Sequence, residues 1–574
     1  MRRTKIIATL GPKTRNEDSI RQMILAGIDG IRINFSHDNH EIHGETVKKV
    51  KKIRQELNRP IPLILDTKGP EIRTGFIKDD AEIKLSVGDT FTLTTKEIEG
   101  DEHRVSVTYK DLPADLKKDN IILIDDGLIA LKVINITDTE IECQVENGGL
   151  LGSRKGINIP DASLNLPSLT EKDILDVKFA AQVGFDYIAA SFIRQASDVI
   201  EIKHVLEEND ASDIKIIAKI ENREGVNNID EILEVADAIM VARGDLGVEI
   251  PAEEVPIVQK MLIEKANAQG KPVVTATQML DSMIRNPRPT RAEASDVANA
   301  IFDGTSAIML SGETAKGDYP LEAVAIMNRI ALAAEAQAGR YTKKAEAGYT
   351  TSMTNAISHA TCSTAKELGA ACIITITTSG YTARAISKFK PSCPIVACTT
   401  DERVLRQLNL VWGCTPILME YTDEHSTDNV FNKAVQEVEK LQLASKGDII
   451  VLSAGVPVGV AGTTNILKAQ YVGDVLAKGV GYGKKNSVTG TARVIKAIKE
   501  ADKYFEAGDI LVVSKTDNAY LPYMKKASAI VVEDDSLGEN NHAVIVGKTL
   551  DIPVITGAKN IVEVVRNTRI ITVD

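Results

Sequence analysis

The stretch Ile216-Ile217-Ala218-Lys219-Ile220-Glu221-Asn222 carries the strongest structural signal in the chain, and Val241-Ala242-Arg243-Gly244-Asp245-Leu246-Gly247 repeats its character. Each is an apolar, β-branched run that ends abruptly in charge, which is typical of a buried parallel strand reaching the edge of its sheet. Unpaired charge is costly at such a position. Two carboxylates from neighbouring strand ends make a site for a hard cation, and a lysine beside them can meet an anionic substrate. The other interpretation is a surface ion pair.

Length and composition restrict the possible classes of protein. The chain has 574 residues, 43% of them hydrophobic, and a formal net charge of −12. This size predicts several domains, and the acidic balance argues against general nucleic-acid binding. No apolar run approaches the ~20 residues that cross a bilayer. The absence of a signal region and six cysteines without CxxC spacing favour a cytoplasmic protein with free thiols.

The first 340 residues contain eight short strand-like runs, most of them followed by a helical pattern. Repeated β-then-α units of this number predict an α/β fold of the (β/α)8 TIM-barrel type. The eight predicted strands are Lys5–Leu10, Gly30–Phe35, Pro62–Leu65, Tyr187–Phe192, Lys215–Ile220, Ala238–Val241, Pro272–Ala276 and Ser306–Leu310.

Polar or charged residues follow most of these strands. Because the carboxyl ends of barrel strands share one face, their clustering predicts a single common site. These residues are Arg32, Asn34, Ser36, His37, Asp66, Thr67, Lys219, Glu221, Asp245, Thr277, Ser311 and Glu313.

Three further segments are predicted around the barrel. Residues 70–167 form an insertion between the third and fourth predicted strands. This insertion alternates apolar and polar residues with turn signals between them, as a small β domain does. Its position suits a lid over the site, although a decorative insertion is the alternative. The predicted domains are the barrel (1–69 and 168–340), the β lid (70–167), an α/β domain (341–473) and an αβ tail (474–574).

Two loops in the later segments resemble phosphate sites. Thr377-Thr378-Ser379-Gly380 joins a strand to a helix that begins near Tyr381. This loop is either a phosphate site or an ordinary helix cap. The run Gly479-Val480-Gly481-Tyr482-Gly483 imitates a nucleotide loop, but no strand leads into it as required, and we predict a linker turn.

Several blocks of the chain resemble pyruvate kinase, from about Arg3 to Asp474. They occur in the family's order and are Ile31–His37, Leu65–Thr74, Lys215–Val226, Val241–Pro251, Thr275–Leu280, Pro289–Ala300 and Met309–Tyr319. The tail resembles the extra domain of pyruvate kinases from Bacillus-like bacteria and the phosphohistidine domain of enzymes that use phosphoenolpyruvate. Those domains carry Thr-(Ser/Cys)-His-Ala, whereas here the run is Asn540-Asn541-His542-Ala543, so we expect a structural or interface role for His542 rather than a phosphocarrier role.

The resemblance implies phosphoryl transfer from phosphoenolpyruvate to ADP, which gives pyruvate and ATP. Glu221 and Asp245 are then the expected ligands of Mg²⁺ or Mn²⁺, and Lys219 and Arg32 the expected partners of the phosphoryl group. Gly244, Asp245 and Thr277 are expected to hold the substrate, and either Thr277 or a water protonates the enolate.

The resemblance also implies nucleotide and potassium sites. Asn34, Ser36, His37, Arg73 and Lys155 are expected at the nucleotide. Asn34, Ser36, Asp66 and Thr67 offer hard oxygens with one carboxylate, which suits K⁺. Glu71 accompanies potassium dependence in the family, so we expect a K⁺ requirement.

Regulation and assembly are expected from the same resemblance. A phosphorylated effector is expected on the loop that contains Thr377, Thr378, Ser379, Gly380 and Thr382, with AMP or ribose 5-phosphate favoured over fructose 1,6-bisphosphate. A homotetramer is also implied. The alternative functions are a metal-dependent aldolase or lyase acting on pyruvate enolates, which needs no lid lysine, and a non-catalytic regulatory protein, which need not retain Lys219, Glu221, Asp245 and Thr277.

Overall fold

A computed structural model describes residues 2–160, 162, 164–341, 352–420, 427–455, 464–473, 475–483 and 487–574. The chain forms two compact units. The first unit comprises 1–443 and 449–470, and the second comprises 444–448 and 471–574. The predicted division into four domains remains a prediction. Among the described residues, no helix is long and apolar enough to cross a membrane.

The first unit contains a closed barrel of eight parallel strands, which confirms the predicted fold class. Each strand pairs with the next one along the chain, and the last pairs with the first. Predicted and observed strand bounds agree to within two residues. The strands are Lys5–Leu10, Gly30–Asn34, Leu63–Asp66, Tyr187–Ala190, Lys215–Ile220, Ala238–Ala242, Val273–Ala276 and Ala307–Leu310.

Helices surround the barrel and bury its outer face. Inward-facing side chains such as Ile7, Ile217 and Met240 fill the interior, while a larger apolar layer lies between the strands and the helices. The principal helices are Glu17–Ala26, His40–Glu56, Glu171–Val183, Ala196–Glu207, Ile229–Val235, Val255–Ala268, Arg291–Phe302 and Pro320–Tyr341.

The insertion folds as a small β structure around its own apolar core. Its main sheet has seven strands, and a bridge between Thr74 and Val107 brings the two ends of the sheet together. Gly149–Leu151 and Ile83–Leu85 form a separate pair. In sheet order, the seven strands are Ile72–Arg73, Gly156–Asn158, Ile121–Ile124, Ile129–Ile136, Glu140–Asn147, Thr90–Thr94 and Arg104–Ser106.

The α/β domain contains a five-stranded sheet with helices packed against it. The described helices are Met353–Glu367, Tyr381–Ser387, Glu402–Leu408 and Thr427–Lys440. In sheet order, the strands are Cys414–Leu418, Ile395–Thr399, Cys372–Ile376, Ile449–Ala454 and Ile466–Tyr471.

The second unit contains a six-stranded sheet and corrects one prediction. The glycine-rich run is not a linker turn, because Val480–Tyr482 forms an edge strand antiparallel to Val554–Thr556. A Cβ on Gly479 would lie 2.2 Å from the carbonyl oxygen of Thr556, so glycine permits this close pairing. The sheet order is Val480–Tyr482, Val554–Thr556, Ala529–Val532, Ile510–Val513, Val488–Val494 and Ile570–Val573, and the helices are Ile498–Tyr504, Leu521–Met524, His542–Leu550 and Ile561–Val564.

The barrel and the α/β domain of the first unit are joined by a buried carboxylate. Asp186 accepts a hydrogen bond from the backbone of Leu63 and forms ion pairs with Arg54 (3.5 Å) and Arg406 (2.8 Å). Leu410 of the α/β domain belongs to the apolar cluster that fills the barrel interior. These contacts close the barrel at the amino-terminal ends of its strands.

We expect Asp186→Ala to lower the free energy of unfolding of the first unit by about 3 kcal/mol, because two half-buried guanidinium groups lose their carboxylate. Urea denaturation followed by circular dichroism measures the change. The matched control is Asp318→Ala, which removes an exposed pair with Lys13 and should cost less than about 1 kcal/mol. Equal effects of the two variants would contradict the structural role of Asp186.

Candidate active site

The carboxyl ends of the barrel strands bring the predicted charged residues together around one buried lysine. The Nζ of Lys219 lies 3.1 Å from Asp66 Oδ1 and 2.9 Å from Glu221 Oε1. It also donates to Ser191 Oγ at 2.7 Å. These side chains come from three adjacent strand ends, the third, fourth and fifth, which is the convergence that the sequence predicts.

The charges in this cluster determine one another's protonation. Burial by itself lowers the pKa of Lys219, but Asp66 and Glu221 outweigh it and raise the pKa above its ordinary value. Burial likewise acts to raise the pKa of Asp66, yet Arg32 and Lys219 hold it below the usual range. The lysine therefore stays an ammonium and Asp66 a carboxylate at neutral pH.

Glu221 differs from Asp66 because its neighbours compensate its burial less fully. Burial raises the pKa of Glu221 to about 7, with the charge of Asp245 adding to the effect and Lys219 opposing it. Its Oε2 accepts the backbone N–H of Phe192 at 2.6 Å. A further positive charge beside Glu221 would favour its ionised form.

Asp245 lies at the start of the helix Arg243–Glu249 and is exposed. Among the described residues it has no hydrogen-bond or ion-pair partner through its side chain, although its charge acts on both Glu221 and Lys219. A buried carboxylate of raised pKa beside an unpaired exposed one fits the oxygen ligands of a divalent cation.

Arg32 is held so that part of its guanidinium stays available. Its Nε donates to Asp66 Oδ2 at 2.6 Å and its Nη1 to Thr9 Oγ1 at 3.1 Å. Within the described part of the chain, Nη2 donates no hydrogen bond. An arginine fixed at one edge and free at the other suits a planar, multidentate contact with a phosphoryl group.

The loop after the seventh strand is strained at Thr277. This residue has φ +71°, a conformation that is costly for a β-branched side chain. Arg243 supports the loop by donating to the carbonyl oxygens of Ala276 and Thr277. Thr277 packs so tightly on the helix Arg243–Glu249, which follows the sixth strand, that a Cβ on Gly244 would lie 2.6 Å from its Cγ2. The structure thus brings Gly244 against Thr277, with Asp245 next to Gly244 in the chain, and their role as a substrate cradle stays a prediction.

The predicted potassium ligands occupy the ends of the second and third strands. Asn34 and Asp66 are paired in register, so their loops are neighbours. Asn34 Oδ1 accepts the N–H of Ser36 (3.0 Å), and Thr67 Oγ1 accepts that of Ser191 (3.0 Å). Asp66, which the sequence marks only as a cation ligand, also holds Arg32 and Lys219. His37, predicted at the nucleotide, lies exposed beyond Ser36.

The predicted nucleotide residues of the lid share one edge of its sheet. Arg73 pairs with Glu71 (2.7 Å) and donates to the carbonyl oxygen of Arg154, and Lys155 pairs with Asp125 (2.9 Å). The lid contacts the helix that carries Asp245, because Asn158 Nδ2 donates to Glu249 Oε1 at 2.8 Å.

The sequence does not predict the contacts of Ser191 and Thr9 with the charged cluster. It also predicts Ser311 and Glu313 at the shared site, whereas the structure shows them in contacts with backbone groups. Ser191 and Thr9 bond to Lys219 and Arg32, and their position at the ends of the fourth and first strands was the available signal. The buried Glu313 instead accepts backbone N–H groups from Leu280 and Ser311. Glu313 and Ser311 therefore shape the loops around the site.

The candidate effector loop and the tail histidine lie away from this cluster in sequence. Gly380 has φ +76° and precedes the helix Tyr381–Ser387, and the Thr382 hydroxyl bonds that of Thr464 at 2.9 Å. In the second unit, His542 begins a helix capped by the buried Asn541. Both His542 ring nitrogens have partners, Thr516 Oγ1 at 3.1 Å and Asn518 Oδ1 at 3.2 Å. The structural or interface role of His542 stays a prediction.

Comparison with known proteins agrees with this geometry. Residues 1–324 match the pyruvate kinase barrel domain, 355–469 the pyruvate kinase alpha/beta domain, and 505–574 the mobile domain of PEP-utilising enzymes. Pyruvate kinases from Geobacillus stearothermophilus and Bacillus licheniformis are each 48% identical over 100% of this chain and 97% and 98% of their own. The chain belongs to the pyruvate kinase family. A crystal structure of a pyruvate kinase from Cryptosporidium parvum is 38% identical, with a TM-score of 0.77, and covers 82% of this chain and 96% of its own.

We expect Glu221→Gln and Asp245→Asn each to weaken Mn²⁺ binding at least about tenfold, because each removes a carboxylate from the candidate cation site. Titration of the protein with Mn²⁺, followed by the electron paramagnetic resonance of the free ion, measures the affinity. Asp281→Asn is the matched control, since Asp281 is an exposed carboxylate beyond the seventh strand. Wild-type affinity in either site variant would place the cation elsewhere.

Proposed function

We propose that this chain is a metal-dependent pyruvate kinase that transfers the phosphoryl group of phosphoenolpyruvate to ADP and yields pyruvate and ATP. The observation that carries the proposal is the charged Lys219, buried among Asp66, Glu221 and Ser191 and flanked by Arg32. Phosphoryl transfer through a loose transition state needs positioned cations more than covalent help, and this cluster supplies them.

Lys219 and Arg32 act on the phosphoryl group. The ammonium of Lys219 is fixed by three partners, so no reorganisation is needed when charge develops on the transferring group. Arg32 offers its unbonded guanidinium edge to the phosphoryl oxygens. The two side chains are positioned by the same carboxylate, Asp66.

Glu221 and Asp245 hold Mg²⁺ or Mn²⁺ in this proposal. When bound, the ion supplies Lewis-acid stabilisation of charge on the phosphate and enolate oxygens. The backbone at Gly244 and Asp245 binds the substrate carboxylate, with the Thr277 hydroxyl beside it. The proton that completes pyruvate comes from Thr277 or from a water.

The finer assignments follow from the family resemblance and the placement described above. Arg73 and Lys155 on the lid bind ADP, together with Asn34, Ser36 and His37. Asn34, Ser36, Asp66 and Thr67 bind K⁺, and the loop from Thr377 to Thr382 binds a phosphorylated effector. The enzyme works in the cytoplasm as a homotetramer.

The direct test is the formation of pyruvate and ATP from phosphoenolpyruvate and ADP with Mg²⁺. We expect activity in the wild type and its loss in Lys219→Met, whose circular dichroism spectrum should be unchanged. A wild type that is inactive with K⁺ and with AMP or ribose 5-phosphate present would overturn the proposal. Near-normal turnover by Lys219→Met would overturn only the role of Lys219.

Gly244→Ala should reduce kcat about a hundredfold, because the added methyl group displaces Thr277 from the substrate. Steady-state kinetics at saturating substrate measure the loss. Gly247→Ala is the control in the same helix, where a Cβ would lie 3.8 Å from Val255 Cγ2 in ordinary contact. If the two variants were equally active, close packing of Gly244 on Thr277 would have no catalytic role.

Activity should require K⁺ and should fall sharply when Na⁺ replaces it. Glu71→Lys supplies a fixed positive charge, so we expect that variant to work equally well in both salts. Glu71→Gln removes the carboxylate without adding a cation and should remain dependent on K⁺. Reaction rates measured in K⁺ and in Na⁺ at constant ionic strength test these expectations. Equal wild-type rates in the two salts would contradict the predicted K⁺ site.

A further inference from the structure

A second concentration of charge lies at the opposite end of the barrel from the candidate active site. There a cleft of about 210 Å³, including its open mouth, separates the barrel from the α/β domain. The barrel side comes from residues that precede strands, so it belongs to the amino-terminal ends. The residues that matter for its chemistry are Lys271, Ser306, Arg384, Ser387, Lys388 and Trp412.

Three of the lining side chains are cations, and no lining residue is an acid. Among the described residues, no carboxylate forms an ion pair with Lys271, Arg384 or Lys388. Lys271 donates only to carbonyl oxygens, including that of Ala236 at 2.6 Å, and Lys388 makes a long contact of 3.5 Å with Asn355 Oδ1. In a chain of net charge −12, three cations left without a carboxylate require an explanation.

The electrostatic cost of this arrangement is reflected in lowered pKa values of Lys271 and Lys388. Burial lowers the pKa of Lys271 to about 8, with Lys203 and Arg384 adding to the effect and Asp237 and Glu234 opposing it. Burial also lowers the pKa of Lys388. An anion in the cleft would offset both penalties, since opposite charge favours the charged form of a lysine.

We propose that this cleft binds a phosphate dianion, either inorganic phosphate or the phosphoryl group of a small metabolite. Arg384 and Lys388 supply charge-assisted hydrogen bonds. Lys271 adds positive charge, although its ammonium already donates to backbone carbonyl oxygens, and Ser306 adds a hydroxyl group at the wall. Most of this space is the open mouth, and the enclosed part of about 10 Å³ holds about one water molecule, so the phosphoryl group binds at the mouth and any organic part lies in solution.

The position of Arg384 links this site to the candidate effector loop. Its Nη1 donates to the carbonyl oxygen of Ser379 at 3.1 Å, while the same side chain lines the cleft. A ligand in the cleft therefore acts on the loop through one shared arginine and on the barrel through Lys271. The site is separate from the loop, because its other groups come from the barrel and from Lys388.

The chain offers a direct probe, because Trp412 is its single tryptophan and lines the cleft. We expect inorganic phosphate and ribose 5-phosphate each to change the fluorescence of the full-length protein saturably, whereas chloride at equal ionic strength does not. Lys388→Gln should weaken the response at least about tenfold, the value of a lost charge-assisted hydrogen bond. Lys366→Gln, an exposed lysine of the same domain, is the matched control.

Two further measurements test the assignment of the response to this cleft. Lys219→Met should retain the full response, which excludes the candidate active site as its origin. Arg384→Gln should lose it, as Lys388→Gln does, with thermal melts showing that both remain folded. A response that is absent, that chloride reproduces, or that Lys388→Gln leaves unchanged would overturn the proposal.

Discussion

The ion-pair cluster at the carboxyl ends of the strands is the constraint on which the site depends. Lys219, Asp66, Glu221 and Arg32 are largely withdrawn from water, and each charge is tolerable only because the others are present. Removing one partner of such a buried set leaves an uncompensated charge, which costs about 3–5 kcal/mol. The same mutual compensation keeps the Lys219 ammonium charged and fixed. One arrangement therefore pairs the buried charges, as folding requires, and supplies a positioned cation, as phosphoryl transfer requires.

The barrel makes this compensation possible because its strands deliver side chains from distant parts of the sequence to one face. Asp66 and Lys219 are 153 positions apart, yet they lie at the carboxyl ends of the third and fifth strands of one closed parallel sheet. Around this site, the connecting loops carry backbone strain, since Thr277 and Phe192 have positive φ values. Phe192 turns its N–H towards Glu221, and Thr277 rests on Gly244. The rigid strands hold the charges, while the strained loops orient the remaining donors.

The sequence predicts the barrel well because each buried strand is a short β-branched run with an abrupt polar end. It also predicts most of the charged cluster, since charge at those ends has no packing function. The roles of Ser191 and Thr9 are not predicted, because hydroxyl side chains are common at strand ends and cost little free energy there. Asp66 is both a predicted cation ligand and the partner of Arg32 and Lys219. The second role depends on which side chains lie close to it in the fold, and the spacing of residues along the chain does not give this information. The strand Val480–Tyr482 was missed because its glycines suggest a turn, whereas one of them allows close approach to Thr556.

The two ends of the barrel differ in how their charged side chains are neutralised. This difference supports an anion site in the cleft between the barrel and the α/β domain. At the catalytic end, acids and bases of the chain neutralise one another. At the other end, Leu410 fills the interior and Asp186 neutralises Arg54 and Arg406. Near the same end, Lys271, Arg384 and Lys388 line one cleft, and none of them has an ion-pair partner in the described part of the chain. Three cations on one cleft wall that carries no acid suit an anion from solution as their partner.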